Sequence, residues 1–188
     1  MKITIGVIGS AGGRILKAAR ERAYLLGKAV AENGCVLLTG GCPGIPYEAA
    51  KGAKEAGGMV VGISPGIDLN EHVKKYKSPT DYLDILIFTG TGLMGREVTG
   101  IRSCDMVVVV GGRSGTLGEF SIAYDEGRPI GIMEGTGGIT REIKKIIKTI
   151  RKKTGSIVLY DTDPKRLIVR LLKVYEKEKN RPRSFSAG

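Results

Sequence analysis

Short unbroken apolar runs alternate along this chain with longer stretches in which apolar positions recur at helical spacing. The runs are Ile3 to Ile8, Cys35 to Thr39, Met59 to Ser64, Tyr82 to Phe88, Met106 to Val110, Pro129 to Met133 and Ser156 to Tyr160. Runs apolar at every position predict strands covered on both faces. Between them the spacing predicts helices over 14–32, 46–56, 93–103, 115–126 and 139–153, with a last helix starting at Asp163-Pro164. Ala18, Ala19, Leu25, Leu26, Ala29 and Val30 form the stripe of the first helix, and Ile139, Ile143, Ile146, Ile147 and Ile150 that of the fifth. The polar stretch Ile67 to Thr80 is expected to be a surface loop or short helix. Its His72, the only histidine, is expected on the surface among Lys74, Lys75 and Lys77. Strand and helix alternating from end to end predict a three-layer, doubly wound α/β fold, Rossmann-like, with a mostly parallel sheet of about seven strands.

Glycine punctuates this pattern at one kind of place. Glycine-rich turns follow the first, second, fourth and fifth strands: Gly9 to Gly13, Gly40 to Gly44, Thr89 to Gly92 and Gly111 to Gly115. All four fall at C-terminal strand ends, the edge on which doubly wound sheets bind ligands. The first turn lacks the spacing of a dinucleotide fingerprint, and no acidic residue ends the second strand where a ribose would need it. The fifth is the most informative. Four valines, Val107 to Val110, lead into Gly111-Gly112-Arg113-Ser114-Gly115-Thr116-Leu117-Gly118-Glu119 and a helix. Backbone N–H groups at a helix N-terminus favour an anion, so this turn is expected to cradle phosphate, with Glu119 a carboxylate on the turns behind it. The residues expected to bind phosphate or nucleotide are Gly9, Ser10, Gly40, Gly41, Gly112, Arg113, Ser114, Gly115 and Thr116. Cys42 also falls at the crevice, as an inert thiol.

Composition narrows the picture. The chain has 188 residues, 29 glycines and no tryptophan, which suits an α/β protein of small residues and tight turns. Residues 1–178 are expected to form one nucleotide-binding domain and 179–188 a flexible basic tail. No apolar stretch is long enough to span a membrane, and the N-terminus enters a strand without a signal-peptide pattern. Cys35, Cys42 and Cys104 have no metal-ligand spacing, so reduced thiols in a cytoplasmic protein are expected and no metal site. The net charge of +11 is uneven: residues 1–140 carry 15 Lys/Arg against 14 Asp/Glu, and residues 141–188 carry 15 against 5. No aromatic residues interleave with the C-terminal cations to stack bases, so a solvated helix face is favoured over nucleic-acid binding.

The motif Gly112, Gly115, Thr116 and Glu119, with Arg96 on the preceding helix, resembles the lonely-guy superfamily, Rossmann-like proteins long mislabelled lysine decarboxylases. That family carries P-G-G-x-G-T-x-x-E after an arginine-bearing helix. Gly40-Gly41 and Pro65-Gly66 match its other turns. The Gly-Val-Ile-Gly opening, the Thr-Gly-Gly turn and Glu48-Ala49-Ala50 resemble most the branch containing molybdenum-cofactor carrier proteins. The resemblance implies that Arg96 and Glu119 are the catalytic pair of a nucleoside 5′-monophosphate phosphoribohydrolase, with no required cofactor. It equally implies a non-catalytic carrier of molybdopterin in place of an AMP-like nucleotide. A DNA-binding relative of DNA-processing proteins is a third reading. The family forms homodimers or homotetramers. No lysine has the setting of a Schiff base, so lysine decarboxylation is not expected. Two departures stand out. The family's proline is Gly111 and its second motif glycine is Arg113, and Glu97 occupies the position where the phosphoribohydrolases carry lysine.

Overall fold

The computed structural model describes residues 1–179. The element order is β1 (Thr4–Gly9), α1 (Lys17–Glu32), β2 (Val36–Thr39), α2 (Ile45–Glu55), β3 (Met59–Ser64), β4 (Ile85–Phe88), α3 (Gly92–Arg102), β5 (Met106–Val110), α4 (Ser114–Asp125), β6 (Ile130–Met133), α5 (Ile143–Ile150), β7 (Val158–Asp161) and α6 (Pro164–Lys179). The seven strands form one sheet in the order β4-β3-β2-β1-β5-β6-β7. Every pairing is parallel, so the expected mostly parallel sheet is parallel throughout.

The period-two alternation of strand side chains divides the core. Ile5, Val7, Val108 and Val110 pack with α1, α2 and α6, while Ile8, Val107 and Val109 pack with α3, α4 and α5. Strand order reverses between β1 and β5. Chain segments leaving those two strands turn to opposite faces, and the gap between them is where a doubly wound sheet opens a ligand crevice. On the far side, α1 and α2 pack at the closest approach in the fold. A Cβ on Gly27 would lie 1.9 Å from the carbonyl oxygen of Ala49, and one on Gly52 would lie 2.0 Å from that of Tyr24. Only glycine allows that reciprocal contact.

Several boundaries differ from the expectation for identifiable reasons. β4 starts at Ile85 instead of Tyr82, because Tyr82 sits at φ +61 and turns the chain before the strand. The expected helix 139–153 divides into a 3₁₀ turn at Gly138–Arg141 and α5, which Arg151 stops at φ +52. Lys179, expected to open the tail, closes α6; the rest of the expected tail, 180–188, lies outside the described residues. Among those residues no helix is long and apolar enough to cross a membrane.

His72 corrects the reading most. It is fully buried, with 0% of its surface exposed. One turn of π-helix at Glu71–Lys75 points it inward while its lysine neighbours stay in solvent. Nδ1 lies 2.9 Å from Ser64 Oγ and Nε2 lies 3.0 Å from the Pro79 carbonyl. Since that carbonyl only accepts, Nε2 carries the proton and the Ser64 hydroxyl donates to Nδ1. The ring also meets the turn after β2: a Cβ on Gly41 would lie 3.4 Å from His72 Cε1.

Candidate functional site

A cleft of about 490 Å³ opens at the C-terminal strand ends, at the β1/β5 reversal. Gly9, Ser10, Gly40, Arg96, Arg113, Ser114, Gly115, Thr116 and Glu119 all line it, as does Cys42. Gly41 and Gly112 do not. Gly41 is turned toward His72, and the carbonyl of Gly112 accepts from the Ile139 N–H, at 3.0 Å. Both shape the floor behind the cleft without facing it.

The α4 end is built for an anion. Ser114, Gly115 and Thr116 form its first turn, where backbone N–H groups have no helical acceptor. Arg113 precedes it; its carbonyl accepts from the Leu117 N–H at 3.0 Å, while its side chain makes no hydrogen bond or ion pair among the described residues and lies over the β1 turn, where a Cβ on Gly13 would be 2.9 Å from its Nη1. The turn itself departs from the family pattern in geometry as well as in residue type. Gly111 has φ +57, which proline cannot adopt. Its N–H, which proline would lack, donates to Thr136 Oγ1 at 2.9 Å, and Thr136 in turn donates to the Met133 carbonyl at 2.6 Å. The β5 turn is thereby tied to the end of β6.

At the deep end three ionisable side chains meet. Nη1 of Arg96 donates to the Gly40 carbonyl at 2.7 Å, joining α3 to the β2 turn. Asp105, at the other end of β5, is held by Thr4 and Tyr175 and does not reach this site. Glu119 is half-buried by area, but protein atoms crowd it on every side except the cleft. That desolvation pushes its carboxyl up to about 8; Arg96 opposes the rise and Glu97 adds to it. Glu97 is also raised by burial, again with Arg96 opposing. The Cys42 thiol is raised, chiefly by burial, consistent with an inert thiol.

Besides Val7, Ile8 and Ala11 next to the expected Gly9 and Ser10, four contributors from other elements were not expected from the sequence. Leu93, Met94 and Pro46 give the cleft apolar walls, and Glu97 stands inside it. Only Glu97 carried a signal, as the residue next to Arg96. The apolar three are ordinary helix residues until the fold places them.

Comparison with known proteins agrees with the fold. The SLOG cluster4 family matches residues 2–168. An uncharacterized protein from Archaeoglobus fulgidus is 39% identical over 126 residues, 67% of this chain and 76% of that protein. Among solved structures, the molybdenum cofactor carrier protein of Chlamydomonas reinhardtii is 30% identical, covering 94% of this chain and 99% of that one, with a TM-score of 0.75. The molybdenum cofactor binding protein of Rippkaea orientalis is 28% identical over 93% and 97% of the two chains, with a TM-score of 0.76. DNA processing protein A of Helicobacter pylori shares the fold, with 17% identity, 92% and 81% coverage and a TM-score of 0.62. The match spans most of the chain, and the chain belongs to the SLOG cluster4 family.

Proposed function

We propose that the cleft binds a phosphorylated heterocycle, nucleotide or pterin, with its phosphoryl group on the first turn of α4 and its uncharged part between the apolar walls. The observation that carries this is the pairing of two unlike ends in one cleft: Arg113, Ser114, Gly115 and Thr116 at the mouth, and Arg96 with Glu119 at depth. A phosphate meets N–H donors, two hydroxyls and a cation at one end.

The Arg96–Glu119 pair supports a catalytic reading, hydrolysis of a nucleoside 5′-monophosphate to free base and ribose 5-phosphate. As the glycosidic bond breaks, positive charge develops on the sugar. An ionised Glu119 stabilises it and orients water, while a protonated Glu119 can hand its proton to the departing base. Arg96 holds the phosphorylated sugar in place. Resemblance to molybdenum cofactor carriers across nearly the whole chain supports a second reading, in which the same residues hold a pterin without turnover. Incubation with a panel of nucleoside monophosphates, followed by chromatography for free base, tests the first. Release that is unaffected by Glu119→Gln sinks the catalytic assignment, and tighter binding of molybdopterin than of any nucleotide selects the carrier.

We further propose that the chain self-associates through β4 and α3. Ile85, Ile87 and Phe88 on the edge strand and Val98 on the helix, outside the cleft, are exposed. Large exposed apolar surface beside an unpaired strand edge calls for a covering partner, and a second copy carries the matching patch. Sedimentation of wild type and of Ile87→Lys tests this: a mass that does not fall in the variant, or a monomeric wild type, rejects it.

A further inference from the structure

Glu97 presents an acceptor-rich group that nothing in the protein satisfies. Its side chain is only 8% exposed. Among the described residues it makes no hydrogen bond or ion pair. Its carboxylate packs against the cleft face of α4, where Cβ atoms on Gly115 and Gly118 would lie 3.2 Å and 3.0 Å from Oε1 and Oε2. The two glycines leave the space it fills. Its oxygens are not among the buried side-chain atoms left without a partner, so they stay open to the cleft, where donors of a bound molecule can reach them.

The walls around it say what is missing. Glu97 follows Leu93 by one helical turn, so both project from the same face of α3. Leu93 and Met94 are 56% and 69% exposed, and both line the cleft, with Pro46 entering from α2 on the other side of the sheet. Apolar side chains above a carboxylate suit a flat ring whose faces are apolar and whose edge donates hydrogen bonds. A sugar diol would need no apolar wall. Beside Glu97 stands Glu119, and two adjacent carboxyls hold one proton between them more readily than two charges. One proton between the two leaves a carboxylate oxygen pair free to accept, and Glu97 is the one set under the apolar walls.

We infer that Glu97 is the specificity residue of the cleft, accepting two hydrogen bonds from a ring N–H and an adjacent exocyclic amino group. That paired donor edge belongs to the 2-amino-4-oxopyrimidine ring, which guanine nucleotides and pterins share. The inference rests on the reading that the cleft binds a phosphorylated heterocycle. Adenine offers an amino group beside a bare ring nitrogen, whose lone pair faces the carboxylate. Hypoxanthine keeps the ring N–H and lacks the amino group, so one carboxylate oxygen stays unpaired.

Calorimetric titration with GMP, IMP, AMP and ribose 5-phosphate, at fixed pH and salt, tests this. GMP is expected to bind at least about tenfold tighter than IMP or AMP, the order expected of one good bidentate pair. Glu97→Gln, which keeps shape and removes the charge, is expected to bring the GMP-to-IMP ratio close to one. Glu97→Asp, which withdraws the carboxylate by one methylene, is expected to narrow it too. Competition of neopterin against GMP then separates the two sources of the edge. Displacement assigns the site to the ring shared with pterins, and failure to displace assigns it to guanine. Equal affinity for GMP, IMP and AMP in wild type, with ribose 5-phosphate still bound, overturns the inference and leaves the phosphate seat standing. A Glu97→Gln variant that weakens ribose 5-phosphate as much as GMP also overturns it, since Glu97 would then be reading the sugar. Absence of binding by all four compounds overturns both this inference and the reading beneath it.

Discussion

Arg96 is fastened to the carbonyl of Gly40 by a 2.7 Å hydrogen bond from Nη1, which joins α3 to the turn after β2 at the base of the cleft. The same guanidinium is the influence that opposes the rise of Glu119. Replacing Arg96 with alanine removes both effects. Affinity for a nucleoside monophosphate is expected to fall about tenfold or more, as for loss of a charge-assisted contact. The midpoint of Glu119, followed by carbon-detected NMR, is expected to move above about 8. Arg96→Lys keeps the charge without the planar fork and is expected to restore the midpoint better than the affinity.

Glu119 gives stability a definite pH dependence. Its folded carboxyl is pushed up to about 8 from an ordinary value of 4.5. A carboxyl raised on folding stabilises the native state in its protonated form. That contribution is therefore complete below about pH 4.5 and is lost as pH rises through about 8. The groups facing it are Arg96, Glu97, Cys42 and Cys104. Asp84, Asp105 and Asp161 are lowered and tilt stability the opposite way in acid. The difference between wild type and Glu119→Gln isolates the effect. The variant is expected to gain roughly 1–3 kcal/mol relative to wild type between pH 5 and pH 9, the full linkage value being reduced by access to the water-filled cleft. Urea unfolding across that range checks it; parallel pH profiles for the two proteins would contradict it.

Gly111→Pro restores the family's residue and is expected to damage the protein. Proline cannot reach φ +57 and has no N–H for Thr136. A loss of about 3 kcal/mol or more is expected in chemical denaturation, with weaker rather than stronger ligand binding. The position does not mark a motif decayed from the consensus. It marks a turn with a different backbone path, locked from β6.

His72→Ala leaves a hole and strands the Ser64 hydroxyl, and it withdraws the ring that supports Gly41. A cost of about 2–4 kcal/mol is expected from cavity and unpaired polar group together. Amide exchange is expected to quicken in the turn after β2 as well as in the 65–79 loop. Exchange confined to the loop would show that the ring does not brace the site.

The fold was legible because its strands are pure apolar runs such as Val107 to Val110, and its turns carry glycine at the same strand end each time. Strand order was not legible, because nothing in a parallel strand names its neighbour. Within the site, Arg96 and Glu119 could be picked out because motif spacing fixes them. His72 was misplaced because its sequence neighbours are lysines, and only a π-helical turn separates its direction from theirs. Glu97 was read as a lost cation; its place beneath Leu93 and Met94 and against the glycines of α4 comes together only in three dimensions. Gly41 and Gly112 sit in turns as expected, yet Gly41 packs toward His72, Leu86 and Gly62, and the Gly112 carbonyl is taken by the Ile139 N–H.

The proposed phosphoryl seat is the first turn of α4. Ser114→Asp tests it directly, because an acidic residue at the first helical position favours the helix while placing a carboxylate on the anion seat. Titration calorimetry of wild type with GMP is expected to show saturable binding at one site per chain. The variant, folded and no less stable, is expected to show at least a tenfold loss. An isotherm unchanged by Ser114→Asp would contradict the claim.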